Sequence, residues 1–144
     1  MSYSIYIRNQ ERTKNPINKN QVEIWVNELI KWLFDINQEH NNYRFFQNKE
    51  KLLQLKLQDI LATVTDDTNQ IIVNSNHFFD SLEQIHFVLI NDLETIINFD
   101  PAAKSKEEVL IAYPGFFAIT AYRIANVFSK LNILIIKSLI ILMK

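Results

Sequence analysis

One glycine in 144 residues, Gly115, limits this chain more than any other feature. Loops that cradle phosphate need several glycines, because only glycine lets backbone amides close around an anion through left-handed turns. An extended β-helix leans on glycine, asparagine and aspartate at its tight corners, so it is disfavoured too. No segment alternates like a strand, whereas the long segments place apolar residues three and four apart. The expected fold class is all-α, with several helices and no β-helix. A length of 144 residues suits one domain, 1–144, with a core of its own.

The periodicity places the helices. Residues 1–12, with Tyr3, Ile5 and Ile7, read as a short helix or a frayed arm, and Asn15-Pro16 marks a loop. Over 19–37, Val22, Trp25, Val26, Leu29, Leu33 and Ile36 form one stripe. Trp32 and Ile24 lie off that stripe, so burial on two sides is expected. His40 to Asn42 breaks the pattern. Asn48 is expected to cap a helix over 48–65, with Glu50 in its first turn and Leu53, Leu57, Ile60, Leu61 and Val64 facing inward. Thr65 to Gln70 reads as a loop, and Ile71 to Val73 is too short to assign. Ser75 or Asn76 then starts a helix over 75–98, in which Phe78, Leu82, Ile85, Leu89, Leu93 and Ile96 keep a near-heptad rhythm.

The densest punctuation lies between Phe99 and Asn126, which holds two of the three prolines and the glycine. Asp100-Pro101 predicts a turn, since the residue before proline is pushed out of the helical region and Asp can bond its own backbone. Ser105 stands three before Glu108, the spacing of a capping box, so a short helix should begin near Lys106 and span 105–112. Pro114 stops it and can open the next, over 114–130, where its missing N–H costs nothing. Gly115, Ala118, Ala121 and Ala125 then make a strip of small residues against which another backbone could pack. The apolar segment 131–143 is interrupted by Lys137 and falls short of the ~20 residues that span a bilayer. An amphipathic partner, or an element left unfinished, is expected there.

Composition excludes further classes. A net charge of −1 offers no basic excess to neutralise phosphates, so nucleic acid is not expected as a partner. Zero cysteines exclude disulfides and thiolate metal sites and fit a cytoplasmic protein. Residues 1–10 lack the basic start and apolar run of a signal peptide. The three histidines, His40, His77 and His86, form no H-E-x-x-H and no i, i+4 pair, so no metal site is expected. Asp66-Asp67 and Glu107-Glu108 are explained by loop solvation and by helix-start charge.

Several motifs share one register: Asp100-Pro101-Ala102-Ala103, Glu107-Glu108, Tyr113-Pro114-Gly115, Ala118-Ile119 and Tyr122-Arg123-Ile124-Ala125. In that order and spacing the chain resembles the N-terminal helical region of bacterial serine O-acetyltransferases, most densely from Phe78 to Ile136. The resemblance implies acetyl transfer from acetyl-CoA to L-serine, the first step toward cysteine, and oligomer assembly by the helical region. It implies that Asp100 helps hold the serine substrate at the edge of a left-handed β-helix. Pro101, Pro114, Gly115, Tyr122 and Arg123 then serve as structural motif residues, with Arg123 expected to pair with Glu107 or Glu108.

In the family, the next segment leads to an A-H-S-x-T-G-I-D-I-H-P-G-A stretch and the β-helix. Here Asn132 to Ile136 echoes that approach, and Lys137 to Lys144 departs from it. The general base and the acetyl-CoA groove of the family have no counterpart in these residues. No complete catalytic set and no bound cofactor is therefore expected, and the chain alone should be inactive. It would act in a homo-oligomer, or as an interaction module co-assembling with a full-length acetyltransferase.

Overall fold

A computed structural model describes residues 1–12, 18–35, 42–103, 105–112 and 114–141. Among these residues the chain is helical, with no strand. The helices are α1 (Ser2–Arg12), α2 (Lys19–Phe34), α3 (Tyr43–Leu61), α4 (Thr68–Phe99), α5 (Lys106–Ala112), α6 (Pro114–Lys130) and α7 (Leu134–Ile141). The all-α expectation holds, and so do the bounds of α5 and α6. The Asn15-Pro16 loop, Ile36, His40, Tyr113 and residues 142–144 lie outside the described residues.

Four helix ends differ from the sequence expectation by three residues or more. α2 ends at Phe34 rather than 37, since Asp35 takes a left-handed conformation (φ 46°) and its N–H reaches back to the carbonyls of Lys31 and Trp32. α3 starts at Tyr43, capped by Asn42 rather than Asn48, and Asn42 Oδ1 accepts from the N–H groups of Arg44 at 2.8 Å and Phe45 at 3.3 Å. The early start places Phe46 flat against Trp32, ring centroids 4.4 Å apart, while Trp32 Nε1 donates to the Phe46 carbonyl at 3.0 Å. Glu50 consequently lies beyond the first turn. α3 also ends at Leu61, and Val64 turns out to be exposed.

The largest difference is α4. It begins at Thr68, so Gln70 and the Ile71–Val73 triplet are helical, and Ser75 and Asn76 are interior positions rather than its start. Asp67 caps it, with Oδ1 accepting the Gln70 N–H at 3.1 Å. Extending the rhythm backward from Phe78 explains why: Ile71, Asn74 and Ser75 continue the buried stripe by almost two turns. With 32 residues, α4 is about 48 Å long and forms the spine of the molecule.

The core gathers where α2, α4 and α6 meet. Trp25, Phe78 and Phe128 are fully buried and pack as a trio, with centroid separations of 5.4, 6.1 and 4.7 Å. Trp25 is also tied to α3, since its Nε1 donates to the Leu53 carbonyl at 2.9 Å, which satisfies the only polar atom of that side chain. Expected two-sided burial of α2 holds for Trp32 but fails for Ile24, which is 58% exposed. α7 packs on α6 and α2 through Ile136 and Ile140, with Ile133 just ahead of it, so the described part of the 131–143 segment supplies an amphipathic partner helix. Its entry is a left-handed Asn132 (φ 61°), with the Ile133 N–H returning to the Phe128 carbonyl at 2.8 Å.

The strip of small residues on α6 divides. Ala121 and Ala125 are buried, as close packing requires, while Gly115 and Ala118 are exposed. A Cβ added at Gly115 would meet nothing within 4 Å, so no close approach demands glycine there.

Candidate functional site

Asp100 is where α4 stops. Its backbone is extended (φ −104°, ψ 110°), and its N–H still closes on the Ile96 carbonyl. Its Oδ1 accepts the Ala102 N–H at 2.9 Å, and its carbonyl accepts the Ala103 N–H at 3.1 Å. This is the turn that Asp-Pro predicts, with the side chain fixing the backbone two residues on. The carboxylate is half-buried, between exposed Phe99 and exposed Pro101. One oxygen is thus committed to the turn, and the other is held in a defined direction as an acceptor.

Ser105 Oγ accepts the Glu108 N–H at 3.1 Å, which caps α5 as its spacing predicts. Pro114 opens α6. Tyr122, on the same helix, is 59% exposed and so packs less than its motif position implies. Arg123 meets Asp92 on α4 instead of Glu107 or Glu108, with Nε and Nη2 each 2.9 Å from Oδ2. The reason is packing: α6 lies along α4, and Asp92 and Arg123 each sit one residue before a buried neighbour, Leu93 and Ile124. That signal, paired seam-edge positions on two predicted helices, was present in the sequence. Without knowing which helices touch, it could not be used. Lys106 likewise reaches Glu94 at 3.5 Å, steering α5 against the end of α4.

The two described histidines are not gathered with Asp100. His77 is exposed, and the half-buried His86 leans on Phe34, ring centroids 5.7 Å apart. Both lie upstream on α4, so His86 stands about 21 Å and His77 about 35 Å along the helix axis from its C-terminal cap. Among the described residues no group of three His, Cys, Asp or Glu could hold a metal ion. No described helix is long and apolar enough to cross a membrane. The arrangement around Asp100 therefore offers an oriented acceptor, with neither described histidine beside it.

No protein-family model matches the chain. Individual relatives do. A serine acetyltransferase of Bacillus pumilus is 46% identical over 43 residues, which are 30% of this chain and 20% of the relative. The serine acetyltransferases of two Helicobacter pylori strains are each 47% identical over 38 residues, 26% of this chain and 22% of theirs. The chain resembles serine acetyltransferases. This likeness to serine acetyltransferases bears out the motif resemblance, and the matched stretch spans about a fifth of each relative's length.

Proposed function

We propose that this chain is the N-terminal helical assembly region of a serine O-acetyltransferase, and that by itself it transfers no acetyl group. The observation that carries the reading is the Asp100 turn, an acceptor of fixed direction at the end of the longest helix, in a chain similar to serine acetyltransferases. Acetyl transfer from acetyl-CoA to L-serine requires a base to take the hydroxyl proton as the oxygen attacks the thioester carbonyl. It also requires donors for the tetrahedral oxyanion and a groove that holds the coenzyme while the thiolate leaves. Asp100 can help position serine, but it meets none of these requirements, and positioning is productive only beside the reacting groups. The helical region would act in a homo-oligomer, and the absence of cysteine fits a cytoplasmic setting.

The purified chain is mixed with acetyl-CoA and L-serine, and free thiol is followed with time. No rate above buffer is expected. Turnover that disappears in Asp100→Ala would overturn the reading. The complementary arm joins the chain to a serine acetyltransferase β-helix: turnover should then appear, and Asp100→Ala should raise KM for serine with a smaller effect on KM for acetyl-CoA.

A further inference from the structure

At the end of α4 opposite Asp100, about 39 Å away along the helix, a cleft of about 650 Å³ opens between the α3–α4 turn and the α6–α7 turn. Its floor is apolar: Leu61 is 1% exposed, and Ile71 and Ile133 are each 9% exposed. Among the described residues no charged side chain lines it. Its polar wall is Asn74, itself 91% buried, whose Oδ1 accepts from Gln70 Nε2 at 2.8 Å. That bond fixes the amide plane and leaves Asn74 Nδ2 without a protein partner among the described residues. Among the described residues Ser75 Oγ is the side-chain atom both sealed from solvent and unpaired, so Asn74 Nδ2 keeps contact with solvent, and Asn74 lines the cleft.

Water meets this donor while the cleft is empty, and a ligand carbonyl that replaces that water keeps the hydrogen bond while its apolar part leaves solvent. The volume is in the range of small-molecule sites, which combine an apolar lining with a few fixed polar groups. Thr65 of the lining is followed by Asp66 and Asp67, both exposed, so an anionic ligand would approach against like charge. We infer that this cleft binds a small neutral ligand that joins a carbonyl acceptor to a short branched alkyl group. The carbonyl takes the Asn74 Nδ2 proton, and the alkyl group covers Leu61, Ile71 and Ile133. This site is separate from the one that serves the acetyltransferase reading, and neither depends on the other.

The test titrates isovaleramide into the full ¹⁵N-labelled chain and follows the amide spectrum, with isovalerate as its charged counterpart. A ligand of so few atoms should bind with a dissociation constant on the order of millimolar. The expected result is saturable shifts confined to the Gln70 and Asn74 side-chain amides and the backbone of 131–133, with isovalerate at least ~10-fold weaker. Asn74→Leu should remove the preference for the amide. Val64→Trp, at the exposed rim, should block both ligands and serves if Asn74→Leu does not fold. Unsaturable or scattered shifts, equal binding of isovalerate, or unchanged binding in a folded Asn74→Leu or Val64→Trp would each overturn the inference.

Discussion

Arg123 turns two guanidinium nitrogens, Nε and Nη2, onto one oxygen of Asp92, each at 2.9 Å. The pair closes the solvent edge of the seam between α4 and α6, directly beside buried Leu93 and Ile124. Its side chains keep 37% and 27% of their exposure, so water screens much of the attraction. Arg123→Met should therefore cost only about 0.5–1 kcal/mol in urea unfolding. Asp92→Asn should cost about the same alone, and adding it to Arg123→Met should cost little more. A loss several times larger, or full additivity, would show that Arg123 acts through other contacts.

Gly115→Ala should stabilise the protein. The position is helical, has no positive φ, and has open space where the methyl group would sit. Alanine reduces the freedom of the unfolded chain without straining the folded one, for a gain of about 0.4–1 kcal/mol. A lower melting temperature would mean that α6 packs against something at this end after all.

Ser75→Ala should also stabilise it, for a different reason. Ser75 is fully buried, and its hydroxyl has no hydrogen-bond partner among the described residues. Removing a buried, unpaired polar atom recovers part of its desolvation penalty, about 1 kcal/mol. Asp67→Ala, which deletes the cap of the same helix, should instead destabilise by about 1 kcal/mol. Chemical denaturation of the two variants should move in opposite directions, and movement in the same direction would refute the account of α4.

Self-association is expected, with the outward faces of α1 and α6 as the contact surface. Tyr3 and Tyr6 on α1 are 74% and 56% exposed, and Tyr122 and Ile119 on α6 are 59% and 37% exposed. Apolar surface of this kind on short helices is commonly covered by a partner. Light scattering after gel filtration should give a dimer or larger, and Tyr122→Lys should shift the mass toward monomer. A monomer at all micromolar concentrations would remove this surface from the assembly argument.

The sequence by itself determined the helical class, because stripes at three and four residues can bury one face only as helices, and a single glycine disfavours tight β corners. It also determined the Asp100 turn, the cap at Ser105 and the helix start at Pro114, since Asp-Pro, Ser-x-x-Glu and Pro act on their own backbone within a few residues. Tertiary structure decided the rest. Asn42 prevailed over Asn48 as a cap because the longer α3 brings Phe46 onto Trp32, and α4 ran back to Thr68 because Ile71 and Ser75 meet the core there. The choice of Asp92 for Arg123, and the exposure of Gly115 beside buried Ala121, followed from which helices touch. Local chemistry is written within a turn or two of the chain. Partners on different helices are fixed only when buried stripes find each other, because that burial supplies far more free energy than any single cap or ion pair.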